Sequence, residues 1–457
     1  MENVHFRRSK EFRLIQGENQ APFFESVLGR KILTDEVGRA VWESLPASGS
    51  QVLQKVRRDL IVSKRLILEF LYVFSKAGII KRPGCSGKSR QIGNPSRMPE
   101  DLVSVIVVTY NGERFIEPCF HSIEKQTYKN IEIICVDNAS SDKTVPLLSK
   151  GFPGVRVIAF KKNRHYAAGI NRGIKEAKGR YFFILNQDIE LDKDCILRLM
   201  EKAKGDKKAG AVAPMMKFSE LRGFINGIGN QVNNHGWGTD NFIHCVDIGQ
   251  FEELREIPSA CFGAVMLQRA AAEEVGLVDS GYGSFYEDVD WSLRCWYRGW
   301  RIVPAPRAVA YHDFGGSYEQ EKKLFFVVRN RQRMVLKLFQ GRVMLGFLKN
   351  YMREDLRNLL SFLKHKNKRL AACYVKAYLS LGFHLPGIGI KRLKVMRRKK
   401  GIRERDILVK NPSFYCCLQP QLNMPEIDTA VIRRYYRWSL LEEPVPSAVE
   451  DTVTLGG

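Results

Sequence analysis

The stretch "ILNQDIELD", Ile184 to Asp192, follows the residues "YFF" and ends an apolar run in an Asn, a Gln and alternating carboxylates. Aromatic and branched residues in a short, unbroken apolar run are typical of a strand that is buried on both faces. Polar residues directly after such a strand lie at its carboxyl end, where open α/β sheets bind their ligands. The stretch therefore predicts a sheet and the edge of that sheet at which a site lies.

Three segments that precede this stretch repeat its pattern. They are "VSVIVV" at 103–108, "IEIICV" at 131–136 and "VRVIAF" at 155–160. The segments between them have the apolar spacing of helices that cover a sheet. Strands that are apolar on both faces and alternate with helices belong to a parallel sheet. The sequence thus predicts a doubly wound α/β domain over residues 102–320.

Polar or small residues follow each of these four strands. They are Thr109, Tyr110, Asn111 and Glu113 after the first strand, Asp137 and Asn138 after the second, Asn163, Gly169 and Asn171 after the third, and Asn186, Gln187 and Asp188 after the fourth. Taken singly, each group also suits a turn or a helix N-cap. Their recurrence at four successive strand ends favours one ligand-binding crevice.

The side chains predicted to line this crevice suit a nucleotide sugar. Tyr110 is placed to stack on a base, and Asp137 is placed to accept hydrogen bonds from the base or the ribose. Asp188 is placed to hold a divalent cation, Mn²⁺ or Mg²⁺, that grips the diphosphate, because hard cations take carboxylate oxygens. The absence of G-x-x-x-x-G-K-[ST] and G-x-G-x-x-G from the sequence argues against a P-loop or a dinucleotide fold.

Two later segments add candidate catalytic residues. "SFYEDVDW" places Glu287, Asp288 and Asp290 at the start of a predicted helix. Acids in a first helical turn also complement the helix dipole, but this group suits a general base that faces a crevice. "YHDFGGS" places His312 before two glycines, where it could bind a metal or a phosphate, although a lone His is more often structural.

Composition and charge divide the 457 residues into unequal parts. The segment from Lys322 to Lys400 has 22 basic and two acidic residues, a net charge of +20 out of the chain's +24. Such a block favours a polyanion, and the amphipathic residues 370–390 are either a buried helix or a helix that lies on an anionic membrane. The 10 cysteines form no C-x-x-C pair, and the N-terminus has no apolar signal core. Both features predict free thiols and a cytoplasmic location.

The remaining boundaries follow from local patterns. Residues 20–82 contain two segments whose apolar residues have the spacing of a helix, followed by a short extended segment. This order predicts a small winged-helix-like domain. Residues 83–101 are rich in Gly, Pro, Ser and Arg and predict a linker. Residues 321–402 are predicted to be a basic amphipathic helical segment that associates with membranes. Residues 403–457 are predicted to be a C-terminal tail whose last part is disordered.

Six motifs in this order resemble family 2 inverting glycosyltransferases of the GT-A fold, and most of all their rhamnosyltransferase-like branch. The motifs are "VSVIVVTYNGERF…VDNASSDKT", "NRHYAAGINRGI", "ILNQDIEL", "CFGAVMLQR", "YEDVDWSLRCWYRGW" and "YHDFGGS", and the resemblance covers residues 102–340. It implies a doubly wound mixed sheet that binds a nucleotide-diphospho-sugar.

Individual roles are also implied by this resemblance. The family's catalytic base matches Asp288, with Glu287 beside it, and its metal position matches Asp188. Its nucleotide-binding acid matches Asp137, and its donor-loop residues match Tyr110, Asn111 and Glu113. The chain departs from the family pattern in having Asn-Gln-Asp where relatives often have Asn-Pro-Asp. It also lacks Gln-x-x-Arg-Trp, so a processive polysaccharide synthase is not expected.

The implied function is metal-assisted transfer of a sugar, with inversion, to a hydroxyl of a lipid-linked or other cell-surface glycan. The implied location is the inner face of the cytoplasmic membrane, and no nucleic-acid partner is expected. Residues 20–82 resemble small winged-helix units that recognise peptides, which implies a peptide or protein partner. The alternatives are a sugar nucleotidyltransferase and a catalytically silent protein that binds nucleic acid or peptide through its winged helix and basic tail.

Overall fold

This computed structural model describes residues 101–399 except 221, 223, 233–237, 244–246, 248–250, 253 and 314–318. It also describes six strand segments nearer the N-terminus: β1 (His5–Arg8), β2 (Phe12–Ile15), β3 (Phe23–Ser26), β4 (Lys31–Leu33), β5 (Ala47–Ser48) and β6 (Ile80–Lys81). These form two three-stranded sheets, of order β5-β1-β6 and β2-β3-β4, in a compact unit of their own. The helices predicted within 20–82, the linker and the tail at 403–457 lie outside the described residues.

A second compact unit comprises Gly87–His312 and Tyr318–Cys416. Its main strands are β7 (Val103–Thr109), β8 (Ile131–Asp137), β9 (Val155–Ala159), β10 (Tyr181–Asn186), β11 (Ile189–Leu191), β12 (Ala209–Phe218), β13 (Ile225–Gly227), β16 (Ala264–Gln268) and β17 (Arg301–His312). They form one nine-stranded sheet of order β11-β17-β12-β16-β10-β7-β8-β9, with β13 paired to β12. β14 (Asn230–Val232) and β15 (Gly238–Asp240) form a separate hairpin.

The helices of this unit lie between these strands along the chain or after the last strand. They are α1 (Glu113–Glu124), α2 (Thr144–Gly151), α3 (His165–Glu176), α4 (Cys195–Gly205), α5 (Arg269–Val275), α6 (Glu287–Tyr297), α7 (Gln320–Leu338), α8 (Gly341–Lys364) and α9 (Lys368–Met396). One apolar core joins α1 and α4 to one face of the sheet, and another joins α3, α5 and α6 to the opposite face. The predicted doubly wound arrangement is therefore confirmed.

The four predicted strands form one parallel part of this sheet, and β12 and β17 form another. β10, β7, β8 and β9 are consecutive neighbours, and all of their pairings are parallel. Every residue of β7 is buried, as expected for a central strand covered by helices on both faces. β16 and β12 extend the sheet with antiparallel pairings, which makes it mixed. The carboxyl ends of β7, β8 and β10 thus share one edge.

The basic C-terminal segment consists of α7, α8 and α9, and its three helices differ in burial. Arg331, Arg333 and Lys337 on α7 are buried among the side chains of this same unit. Buried cations cannot reach a phospholipid headgroup, so the predicted membrane association of this segment depends on α8, α9 and the exposed positions of α7. In the part of the chain that the structure describes, no helix is both long and apolar enough to cross a membrane.

The described cysteines agree with the predicted free thiols. Cys119, Cys135, Cys195, Cys295 and Cys373 are buried and unbridged. Burial raises the pKa of Cys135 to about 12, so this thiol is an inert core group at neutral pH.

Candidate functional site

The loop after β7 is fixed by the amide of Gln187. The Tyr110 N–H donates to Gln187 Oε1 at 2.9 Å, and Gln187 Nε2 donates back to the Tyr110 carbonyl at 3.1 Å. A Cβ on Gly112 would lie 2.1 Å from Gln187 Oε1, so this close approach requires glycine. Tyr110 keeps its side chain 46% exposed, as stacking on a base requires. This clasp joins the ends of two predicted strands.

A second network joins the same loop to the turn after β8. Asp137 is buried and accepts hydrogen bonds from Thr109 Oγ1 at 3.1 Å and from the Ser140 N–H at 2.9 Å. The Asn111 N–H donates to Ser140 Oγ at 2.9 Å. Glu113 Oε2 accepts from the Lys143 N–H at 3.0 Å. The predicted donor-loop residues are therefore brought together and held before any ligand binds.

The predicted residues around α3 have partners within the protein. Asn138 Oδ1 accepts from the Arg164 N–H at 3.2 Å, and Asn163 Oδ1 accepts from the His165 N–H at 2.8 Å. A Cβ on Gly169 would lie 2.6 Å from Val108 Cγ1, so this glycine lets α3 pack closely on β7. The Asn171 amide bonds both backbone groups of Val278, at 2.7 and 3.0 Å. These contacts give the four residues structural roles, and their donor-binding roles remain predictions.

The turn after β10 brings Asp188 to His312. Asn186, the last residue of β10, donates its N–H to the Gly263 carbonyl at 2.8 Å. Pairing of β11 with β17 sets Ile189 opposite His312. Asp188 Oδ1 consequently lies 3.6 Å from His312 Nε2. Asp188 and His312 are 124 positions apart in the sequence. They lie close together because β11 and β17 are neighbouring strands.

The donor atoms of this pair fit a divalent cation. His312 Nδ1 lies 2.8 Å from Asn226 Oδ1, and donation to that oxygen leaves Nε2 with its lone pair toward Asp188. A carboxylate oxygen and an imidazole nitrogen suit Mn²⁺ or Mg²⁺. Within the described residues, no group of three or more His, Cys, Asp and Glu could hold a metal. The remaining ligands would therefore come from the substrate and water.

Two acids at the start of α6 differ in their surroundings. Asp288 Oδ2 accepts from Asn230 Nδ2 at 2.7 Å, and Oδ1 accepts from the Val289 N–H at 2.7 Å. Burial raises the pKa of Asp288 to about 6, and these donors limit the rise. Burial, followed by the charge of Asp288, raises the pKa of Glu287 well above its usual value. Among the described residues, none donates a hydrogen bond to Glu287 Oε2. Asp288 thus ionises in preference to Glu287.

The loop that presents these acids is strained. Phe285 and Tyr286 have φ angles of 66° and 67°, a left-handed conformation that costs non-glycine residues about 1–3 kcal/mol each. Asn330 on α7 compensates, because the two hydrogens of its Nδ2 are shared among the carbonyls of Tyr282, Ser284 and Phe285, which lie 2.9, 2.7 and 2.8 Å away. Helix α7 therefore positions the loop that carries the acids.

Tyr166 links the metal position to the acids. Its hydroxyl donates to the Phe262 carbonyl at 2.6 Å, and the backbone of Phe262 also hydrogen-bonds Asp288. Burial raises the pKa of Tyr166 well above its usual value, and the negative charges of Glu287, Asp188 and Asp288 contribute to the rise. The charges of these three residues act on the Tyr166 hydroxyl, and the Phe262 backbone joins Tyr166 to Asp288.

The sequence did not indicate several residues that complete this site. No pattern in the sequence indicates the contacts of Tyr166, Asn226, Asn230 and Asn330. Asp290, which was grouped with the two acids, instead faces away from the crevice. Its Oδ2 accepts from Arg294 Nε at 2.8 Å inside a buried ion network.

Comparisons with known proteins indicate a family for part of the chain. The family model for "Glycosyl transferase family 2" matches residues 104–276. An N-acetylglucosaminyl-diphospho-decaprenol L-rhamnosyltransferase of Mycobacterium tuberculosis is 24% identical over 233 residues, which are 46% of this chain and 76% of that protein. A poly-β-1,6-N-acetyl-D-glucosamine synthase of Staphylococcus aureus is 26% identical over 225 residues, 48% of this chain and 52% of that protein.

A search of solved structures returns a mannosyltransferase from Pyrobaculum calidifontis in complex with GDP-Man and Mn²⁺. It is 14% identical to this chain, covers 88% of it and 99% of the mannosyltransferase chain, and has a TM-score of 0.40.

Proposed function

Residues 104–276 are a family 2 glycosyltransferase domain, and we propose that this protein transfers a sugar with inversion from a nucleotide-diphospho-sugar to an acceptor hydroxyl. The family match confirms the resemblance, the GT-A fold class and the expectation of an enzyme. The observation that supports the proposed reaction is that Asp288 is held by hydrogen bonds from Asn230 and the Val289 N–H and is joined through the Phe262 backbone to Tyr166. A nucleotidyltransferase or a silent binding protein has no need of a carboxylate poised to ionise near pH 6 beside a candidate metal position.

The donor would lie against the edge formed by β7, β8 and β10. Tyr110 stacks on the base, while Asp137 accepts from the base or the ribose. Asp188 and His312 would hold Mn²⁺ or Mg²⁺ together with the diphosphate, and the bound cation would neutralise the charge of the leaving group. Because their loops are already hydrogen-bonded, these residues bind the donor with little further ordering.

The acceptor hydroxyl would approach Asp288 from the side opposite the diphosphate. The Asp288 carboxylate accepts the hydroxyl proton as the oxygen attacks the anomeric carbon. One bond forms as the sugar–diphosphate bond breaks, so the anomeric configuration inverts. Burial and the neighbouring Asp288 favour the protonated form of Glu287, which avoids a second negative charge at the same place.

The acceptor is proposed to be a lipid-linked or other cell-surface glycan. The Mycobacterium tuberculosis relative has a lipid-linked substrate in its name. We infer that this protein works at the inner face of the cytoplasmic membrane as a peripheral enzyme. Residues 20–82 are proposed to bind a peptide or protein partner.

Metal-dependent donor binding is the first test of this function. We expect one nucleotide-diphospho-sugar from a UDP, GDP and dTDP panel to bind in the presence of Mn²⁺ or Mg²⁺, and to bind at least about tenfold more weakly with chelator. Asp188→Asn should bind the donor as wild type does with chelator, since its amide is a poorer cation ligand. Calorimetry measures this independently of turnover.

The matched control for this test is Asp192→Asn, an acid four positions farther along the chain that should leave binding unchanged. Failure of the folded wild-type protein to bind any nucleotide sugar, with or without metal, would contradict the proposed function. Binding that ignores both chelator and Asp188→Asn would reject the metal position alone.

The pH profile tests the assignment of the base. Since Asp288 is active as the carboxylate, kcat/KM should rise with pH through about 6, its raised pKa. Asn230→Ala removes a donor that favours the charged form, so the acidic limb should move to higher pH by about one unit. The alkaline plateau should fall only a few-fold. Steady-state rates from pH 5 to 9 measure both effects.

Asn358→Ala provides the control for this profile. It truncates an amide that donates to the Tyr374 hydroxyl on α9, away from the carboxylates. Its acidic limb should coincide with that of wild type. If the acidic limb of the kcat/KM profile does not shift in Asn230→Ala, a group other than Asp288 titrates in the reaction.

A further inference from the structure

The exposed apolar side chains of the described residues are concentrated on α8 and α9. All of the large ones except Tyr110 and Leu277 lie on these two helices. Examples are Met352, Leu356 and Leu360 on α8, and Val375, Leu379 and Phe383 on α9. Within each trio the residues are four positions apart, which places them on one face of the helix. We call these two faces the outer helical surface.

The outer helical surface is separate from the faces that α8 and α9 use for packing. Buried side chains of α9, such as Tyr374 and Ala377, join Val328 of α7 and Leu359 of α8 in one apolar cluster. On α9 the exposed trio falls on the opposite side of the helix, because Leu379 lies about 200° around the helix from Ala377. On α8 the exposed trio lies about 100° around the helix from the buried positions that it directly follows. Leu379 and Phe383 remain 70% and 84% exposed. Within the described residues, this apolar area is therefore uncovered.

Basic side chains border the outer helical surface. Those exposed beside the apolar trios include Lys349, Arg353, Arg357, Lys364, Lys376 and Lys394. The only acids of α8 and α9 are Glu354 and Asp355. Asp355 is buried, where it bonds Tyr378 at 2.8 Å and pairs with Arg331. The surface thus combines exposed apolar side chains with a positive border and no exposed negative one.

We propose that the outer helical surface docks on an anionic phospholipid bilayer. This proposal deepens, and rests on, the peripheral membrane location inferred above. Side chains such as Phe383 enter the boundary between headgroups and acyl chains, and the bordering cations contact lipid phosphates. A second copy of this chain is a poorer partner, since the borders of two such surfaces would place like charges together. The buried cations of α7 take no part.

Vesicle cosedimentation of the full-length protein tests this proposal. Wild type should pellet with phosphatidylcholine vesicles that contain phosphatidylglycerol, and bind less to phosphatidylcholine alone or at high salt. The double variant Leu379→Asn/Phe383→Asn should bind anionic vesicles about tenfold more weakly or worse, because two exposed anchors are lost. The swapped variant Leu379→Phe/Phe383→Leu keeps the apolar area and should bind as wild type does.

Solution measurements separate this proposal from the proposed function. Circular dichroism and donor binding without vesicles should be the same for all three proteins, because neither residue contacts the crevice. The proposal would be contradicted if wild type stayed in the supernatant with anionic vesicles. It would also be contradicted if the double Asn variant bound these vesicles as strongly as wild type. A wild-type dimer that the double Asn variant converts to monomer would identify a second copy as the occupant instead.

Discussion

Asp288→Asn is expected to lower kcat for sugar transfer by about 10²–10⁴-fold, the usual contribution of a positioned general base. The amide cannot accept the acceptor's proton, yet it fits the volume of the carboxylate. Because the donor is proposed to bind at Tyr110, Asp137 and Asp188 and not at Asp288, donor affinity should stay within a few-fold of wild type. Single-turnover rates with saturating donor, alongside calorimetry of donor binding, would separate the two effects.

Glu287→Gln is the matched control for this substitution. Burial and the neighbouring Asp288 hold the pKa of Glu287 well above its usual value, which favours the neutral form of its carboxyl. A neutral amide of the same length should therefore keep most of the activity. The opposite outcome, an active Asp288→Asn protein and an inactive Glu287→Gln protein, would assign the base to Glu287.

The parallel strands and their ends could be predicted because local sequence determines them. β7, β8 and β10 are apolar on both faces, and such runs have few other stable placements than the centre of a covered sheet. Asp137 and Asp188 follow two of these runs directly, so the chain itself carries them to the ligand-binding edge. The start of α6 at Glu287 could be predicted for the same reason, from its apolar spacing.

The second layer of the site could not be predicted because it depends on pairing between distant segments. Asn230 meets Asp288 across 58 residues, and Asn226 meets His312 across 86. Nothing near Asn226 or Asn230 in the sequence indicates those partners, since an Asn beside a Gly is usual in turns. Pairing of β13 with β12 brings Asn226 to His312, whereas Asn230 lies on β14 and its backbone bridges to Ser259.

The burial of cations on α7 could not be predicted for a related reason. A charge run is usually a solvated face or a polyanion site, and the sequence does not show how deeply each side chain is buried. In α7 the partners of the buried cations are carboxylates far away in the sequence. Lys337 Nζ lies 2.8 Å from Asp279 Oδ2 and 2.7 Å from Asp290 Oδ1. These acids border the loop that carries Glu287 and Asp288, so α7 supports the proposed site.

Lys337→Met is accordingly expected to lower the free energy of unfolding of the second unit by about 3–5 kcal/mol, the usual cost of removing one partner from a buried ion pair. Burial would raise the pKa values of Asp279 and Asp290, but Lys337 provides the largest opposing effect and both values are lowered. Burial also lowers the pKa of Lys337 itself, yet two carboxylate oxygens within 2.8 Å favour its charged form. Methionine fills the volume and leaves both carboxylates short of a cation.

Urea unfolding followed by tryptophan fluorescence measures this loss, because Trp291 of α6 is buried in the same unit. Lys376→Met, the same change at an exposed position of α9, should leave the urea midpoint unchanged.

Acids with lowered pKa values contribute stability above their unfolded pKa of about 3.9 and lose it as the pH falls below that value. The difference in the free energy of unfolding between wild type and Lys337→Met should therefore be largest at pH 6–7 and decrease toward pH 3. A variant as stable as wild type at pH 7 would mean that Arg294, Arg333 and Lys391 neutralise both carboxylates without Lys337.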